Sequence, residues 1–220
     1  MRPKRKPLLQ VALDLLDLRS ALRIARTAQL EGAELLEAGT PLIKSVGIRA
    51  VGSLKKRFGK TCRIVADMKT LDAGALEAWI AVEAGADIVT VAGTANRATI
   101  SAAARVLRGQ KAELCVDLIG VNSPLAKAKQ AERLGASIVE VHTGIDVQRS
   151  AGRKLRANLS IVRSMSESLD VSVAVAGGLD EVSAPLFVEA GADVIIVGGA
   201  ITGSRNPGLK TRAILEAIRD

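Results

Sequence analysis

Tyrosine is absent from this sequence, and aromatic residues of all kinds make up 1% of it. Stacking platforms for single-stranded nucleic acid are therefore lacking, and the core has to be assembled from Ala, Val, Leu and Ile. Histidine occurs once and cysteine twice, so there is no Cys/His cluster with zinc spacing. Cys62 and Cys115 lie inside apolar runs. They read as small core fillers in a reducing cytoplasm, not as a disulfide framework. No apolar run reaches membrane-spanning length, so no membrane partner is expected.

Apolar residues make up 48% of the 220, enough for a sizeable core. The net charge is +8, from 31 basic and 23 acidic residues. Arg2, Lys4, Arg5 and Lys6 gather in residues 1–7, which lack the apolar stretch of a signal peptide. We read this segment as a solvated tail in preference to a nucleic-acid arm. No linker or low-complexity segment divides residues 8–220, which are expected to form one domain.

A repeat runs through that domain. Gly32-Ala33-Glu34, Gly85-Ala86-Asp87, Gly135-Ala136-Ser137 and Gly191-Ala192-Asp193 each follow an amphipathic stretch and precede an apolar run. Glycine just past a helix suits the left-handed position, where a Cβ would clash. Four further apolar runs lie between these marks. The pattern predicts strands near 8–14, 34–38, 62–67, 87–92, 113–118, 138–142, 171–176 and 194–198. Helices are predicted near 17–31, 41–57, 73–84, 96–108, 124–134, 155–168, 181–189 and 207–218. Eight alternating units imply a parallel sheet with right-handed crossovers, and in this length a (β/α)₈ TIM barrel. A doubly wound open sheet would normally carry a glycine fingerprint after the first strand, where Asp14-Leu15-Leu16-Asp17 stands instead.

In such a barrel the chemistry gathers at the carboxyl ends of the strands. Asp14, Glu37, Asp67 with Lys69, Asp117 and His142 are expected there. Glu37 and Asp67 are hard oxygen donors that would suit Mg²⁺. The competing reading is that these acids pair with Lys69 or cap the following helices. Asp17 competes with Asp14 as the cap of the first helix, and Asp72 has the position of an ordinary N-cap. His142 could move a proton as a neutral imidazole, or be a hydrogen-bonded core residue. Gly177-Gly178 and Gly198-Gly199 are expected to bring backbone N–H groups to a phosphate, with Ala200-Ile201-Thr202 starting a short helix. Arg149, Arg153, Lys154 and Arg156 make the loop after strand six basic, either as a lid or as a solvated charge run.

Several motifs occur in order: Ala12-Leu13-Asp14; Glu37-Ala38-Gly39-Thr40-Pro41-Leu42-Ile43; the Asp-x-Lys-x-x-Asp of Asp67, Lys69 and Asp72; His142-Thr143-Gly144-Ile145-Asp146-Val147-Gln148; Val175-Ala176-Gly177-Gly178; and Val197-Gly198-Gly199-Ala200-Ile201. Together they resemble the 3-hexulose-6-phosphate synthases of the orotidine-5′-monophosphate decarboxylase superfamily. The resemblance implies a Mg²⁺-dependent, reversible aldol condensation of formaldehyde with D-ribulose 5-phosphate; the sequence itself does not choose between Mg²⁺ and Mn²⁺. It implies Glu37 and Asp67 as metal ligands, His142 as the group that takes the C1 proton, and Lys69 beside the enediolate. Asp72 would reach into the partner subunit's site, so a homodimer is implied. The nearest rival, 3-keto-L-gulonate-6-phosphate decarboxylase, carries an arginine where Ile145 stands. An arginine common in the superfamily is replaced by Gly199. A rival of another class is a non-catalytic barrel that binds a phosphorylated ligand or nucleic acid. A binder needs no set of acids, lysine and histidine at the strand ends.

Overall fold

The computed structural model describes residues 6–151 and 155–220. The strands are β1 (Leu8–Leu13), β2 (Leu35–Ala38), β3 (Arg63–Thr70), β4 (Ile88–Ala92), β5 (Glu113–Asp117), β6 (Ile138–His142), β7 (Ser172–Ala176) and β8 (Val194–Val197). The helices are α1 (Leu18–Leu30), α2 (Thr40–Val46), α3 (Arg49–Phe58), α4 (Gly74–Glu83), α5 (Arg97–Gly109), α6 (Pro124–Arg133), α7 (Ile145–Ala151), α8 (Leu155–Ser168), α9 (Ala184–Glu189), α10 (Gly199–Thr202) and α11 (Pro207–Arg219). All strand pairs are parallel, each strand lies beside its sequence neighbours, and β8 closes on β1. The fold is a (β/α)₈ barrel.

Period-two alternation decides which side of the barrel wall each residue faces. Leu36, Ile64, Val89, Val116, Val139 and Val173 point outward into the layer shared with the helices. Ala12, Leu35, Val65, Ile88, Cys115, Ile138 and Ala174 point inward and form a separate inner core. None of these side chains is aromatic, in keeping with the scarcity of aromatics in the sequence. The inner core is the floor on which the polar residues at the strand ends stand.

The repeat has a physical role at both ends of its three residues. Gly32, Gly85, Gly135 and Gly191 all adopt left-handed φ, from 100° to 102°. The following alanines are buried. The third residue, where acidic, accepts the N–H of a residue in the preceding strand of the barrel. Glu34 takes that of Leu9, Asp87 that of Ile64 and Asp193 that of Val173. Ser137 stands in that place in the third copy.

Three local features differ from the expectation. The helix expected over 41–57 is two helices, broken where Gly47 takes φ 77°. The loop after β6 holds α7, and Arg149 lies on it; Arg153 and Lys154 lie outside the described residues. Strand β3 runs on to Thr70 through a register shift between Ala66 and Thr70, with Lys69 at φ 45°. Of the tail, Lys6 and Pro7 fall within the described residues, and Lys6 is exposed; Arg2, Lys4 and Arg5 lie outside them.

Asp87 also pairs with Lys55 at 2.6 Å, so it joins α3 to the strand layer. Asp87→Ala should cost about 1–3 kcal/mol of stability in urea unfolding, the range for losing a charge-assisted hydrogen bond. Ser137→Ala should cost less. Equal costs would contradict the capping role of the acid.

Candidate active site

The inner face changes character along each strand. Above the apolar floor, β1 to β6 present Gln10, Glu37, Asp67, Thr90, Asp117 and Glu140, all buried, with His142 above Glu140. Strands β7 and β8 present Ala174, Ala176 and Ile196 instead, and end in the glycine pairs. Six of the eight strands thus bring polar or charged side chains to the mouth, and the other two bring small or apolar ones.

Hydrogen bonds and ion pairs join the charged side from Asp67 to Glu140, and Gln10 and Glu37 form a pair beside that line. Lys69 Nζ lies 2.6 Å from Asp117 Oδ2 and 3.1 Å from Asp67. His142 Nδ1 lies 3.0 Å from the same Asp117 oxygen and 3.2 Å from Glu140 Oε1. The other Asp117 oxygen accepts the N–H of Ile119 at 2.9 Å. Thr90 Oγ1 donates to Asp67 Oδ1 at 2.7 Å and accepts the backbone N–H of Lys69 at 3.0 Å. Thr40 Oγ1 donates to Asp67 Oδ2 at 2.7 Å. Gln10 Nε2 donates to Glu37 Oε2 at 2.6 Å. The left-handed Lys69 backbone is therefore held from β4, while its side chain spans from β3 to β5.

Burial and charge shift these groups in opposite directions. Burial alone would lower the Lys69 ammonium, but Asp67, Asp117 and Glu140 outweigh it and raise its pKa. Burial would likewise favour neutral His142, yet its contacts with Asp117 and Glu140 push it up to about 10. Burial would raise Asp117, but His142 and Lys69 lower it to about 2. Glu37 is raised well above the carboxylate range, by burial first and then by Asp67, Glu140 and Asp14. Glu140 is raised by burial and by Asp117. Asp14 is open to solvent at the mouth, yet burial of its surroundings and Asp67 raise it.

Two carboxylates face one ring nitrogen of His142, an arrangement that favours its imidazolium form in the metal-free site. It also bears on the metal. Asp14, Glu37, Asp67, Asp117 and Glu140 share the mouth with only Lys69 and His142 as cations among the described residues. A cation beside Glu37 and Asp67 would relieve the repulsion that raises Glu37, and carboxylate oxygens suit Mg²⁺. The residues fit such a group. Asp117, Glu140 and His142 also bring ligand atoms within 4.8 Å of one another. There the Lys69 ammonium already pairs with Asp117 at 2.6 Å.

The other expected residues divide. Asp17, not Asp14, caps α1, accepting Ser20 N–H at 2.8 Å. The carboxylate of Asp14 fits against two glycines. A Cβ on Gly39 would lie 2.1 Å from its Oδ1, and one on Gly198 would lie 3.3 Å from its Oδ2. Asp72 stands outside the network and exposed; its Oδ1 accepts Ala73 N–H, and the cap of α4 is Ala73. The expectation that Asp72 is an ordinary N-cap is therefore not met. Gly177 and Gly178 take φ 115° and 72°, and a Cβ on Gly177 would strike Thr143 O at 2.5 Å. Gly198 precedes α10, and space beside Gly199 is open. Gln148 Nε2 donates to Thr143 O at 2.6 Å, so the stretch following His142 is tied back on itself.

Glu140, Gln10 and Thr90 were not singled out from the sequence as site residues, although Glu140 and Gln10 share an alternation face with His142 and Asp14. The titration of the sole histidine tests this arrangement. In metal-free protein its C2–H resonance should stay protonated from about pH 6 to about pH 8 and move with a midpoint near 10. Its contribution to stability is then full below its ordinary value of 6.5 and lost as pH rises toward 10. A midpoint near 6.5 would contradict the double carboxylate contact.

A profile of the Orotidine 5'-phosphate decarboxylase / HUMPS family matches residues 7–214. The 3-hexulose-6-phosphate synthase of Mycobacterium gastri is 39% identical over 210 residues, covering 96% of this chain and 99% of the relative. A crystal structure of 3-hexulose-6-phosphate synthase superposes with TM-score 0.91 at 38% identity, covering 96% and 99% of the two chains. That of 3-keto-L-gulonate-6-phosphate decarboxylase from Vibrio cholerae gives 0.86 at 29%, covering 97% and 98%. This chain belongs to the orotidine 5′-phosphate decarboxylase / HUMPS family, on the branch of the 3-hexulose-6-phosphate synthases.

Proposed function

We propose that the protein is a 3-hexulose-6-phosphate synthase, a lyase that reversibly joins formaldehyde to D-ribulose 5-phosphate to give D-arabino-hex-3-ulose 6-phosphate. The observation that carries this is Lys69 and His142 sharing Asp117 inside the mouth of a barrel related end to end to the synthases. Glu37 and Asp67 would hold Mg²⁺, or Mn²⁺ on the same oxygens. When bound, the cation would stabilise charge on the substrate oxygens and draw His142 back toward its neutral form.

The work of the chain's own residues then follows. His142 takes the proton from C1, and the C–H electron pair passes into the enediolate. Lys69 faces that negative charge from a partly buried position, where the attraction is stronger than in water. C1 attacks the carbon of formaldehyde, and the carbonyl electron pair moves to its oxygen. That oxygen takes the proton back from His142, so no oxidant or further reactant is consumed. The loops of Gly177-Gly178 and Gly198-Gly199 would grip the phosphate at the apolar side of the mouth, by β7 and β8, fixing the position of C1. Asp14 follows β1, which borders β8, and would hold a substrate hydroxyl.

Leu71, Leu76 and Trp79 are exposed around Asp72. This apolar group supports a homodimer in which Asp72 reaches the site of a second copy. Cys62 and Cys115 are free buried thiols, which supports a reducing, cytoplasmic setting. No helix among the described residues is long and apolar enough to cross a membrane.

Purified protein with Mg²⁺, ribulose 5-phosphate and formaldehyde should consume formaldehyde, and a chelator should stop it. No consumption, with CO₂ released from 3-keto-L-gulonate 6-phosphate, would overturn the reading in favour of the decarboxylase. His142→Ala should slow C1 proton exchange about 10²–10⁴-fold, the usual contribution of general acid–base catalysis. Unchanged exchange would remove His142 from that role.

A further inference from the structure

Glu140 is an expensive residue for its position. It is 5% exposed, one alternation step above the inward-facing Ile138 of the floor. An apolar side chain there would avoid the desolvation of a carboxylate, which costs several kcal/mol when unrelieved. Its contacts are His142 Nδ1 at 3.2 Å from Oε1 and the Cys115 thiol at 3.8 Å from Oε2. A thiol is a weak donor, so the histidine is its principal partner.

Asp117 does not make Glu140 redundant. Its Oδ2 is shared between His142 and the closer ammonium of Lys69, and its Oδ1 is committed to the Ile119 N–H. Asp117 alone would leave the imidazole tied to an oxygen already drawn toward Lys69. Glu140 approaches the same ring nitrogen from the histidine's own strand.

We propose that Glu140 is a positioning residue for His142: paired with Asp117, it fastens the imidazole by Nδ1 and so presents Nε2 to the ligand in the mouth. The consequence for the C1 proton rests on the synthase reading; the coupling of Glu140 to His142 does not. The charged groups around the imidazole are Glu140 on β6, Asp117 on β5 and, farther off, Lys69 and Asp67 on β3 and Asp14 on β1. Two carboxylates on Nδ1 hold the ring in one tautomer and favour the imidazolium that forms when Nε2 accepts a proton, as an orienting acid does for a catalytic histidine.

The lone histidine gives a direct readout. With [¹⁵N]histidine in metal-free protein, its ring resonances titrate without overlap. Glu140→Gln, which keeps the shape and removes the charge, should lower the His142 midpoint by about one pH unit or more. Glu140→Leu should lower it at least as far, and serves if the glutamine variant does not fold. In substrate-loaded enzyme, the pH limb of C1 proton exchange should shift in the same direction, with KM for ribulose 5-phosphate unchanged. An unmoved histidine midpoint in a folded variant would overturn the proposal even if turnover fell. A shifted midpoint in a protein that never consumes formaldehyde would uphold the coupling and overturn the synthase reading.

Discussion

The site depends on one carboxylate shared by two cations. Asp117 Oδ2 touches both Lys69 Nζ and His142 Nδ1 and is wholly buried. A buried ion costs several kcal/mol unless its partners are close and its remaining lone pairs are used. Asp117 meets both conditions, with the Ile119 N–H on its other oxygen. Asp67 then binds Lys69 from one side and Glu140 binds His142 from the other. Charges alternate along this line from β3 to β6. Removing Asp117 would leave Lys69 and His142 without their common partner.

The barrel makes that line affordable. Apolar inward side chains form a dry floor, and the acids stand one step above it on successive strands. Because the strands are parallel, equivalent alternation positions lie side by side around the wall. Polar residues on β1 to β6 and small ones on β7 and β8 keep the charged side chains apart from the glycine pairs that follow β7 and β8. The same parallel order lets Glu34, Asp87 and Asp193 fasten the opposite end of the wall, away from the mouth.

The barrel was legible in the sequence because its signals are local: the Gly-Ala repeat, period-two runs, and prolines at the starts of α2 and α6. Glu37, Asp67, Lys69 and His142 could be named because each sits at a strand end. Glu140 and Gln10 escaped because one polar residue within an apolar strand carries no motif, and its importance appears only across strands. The register shift in β3 was equally hidden, since it depends on Thr90 of a neighbouring strand taking the Lys69 N–H. Asp72 looked like a cap because aspartate before a helix usually is one, but left-handed Ala73 moved the helix start by a residue.

The central claim is our proposal that a divalent cation on Glu37 and Asp67 would complete the surplus of buried acid at the mouth. Calorimetric titration of metal-free protein with Mn²⁺ in buffers of different ionisation enthalpy measures this directly. The account predicts a saturable site where the cation competes with protons and so releases them on binding, because burial and neighbouring acids raise Glu37. It also predicts loss of that site in Glu37→Gln and in Asp67→Asn. Binding without proton release, or binding that survives both substitutions, would contradict it.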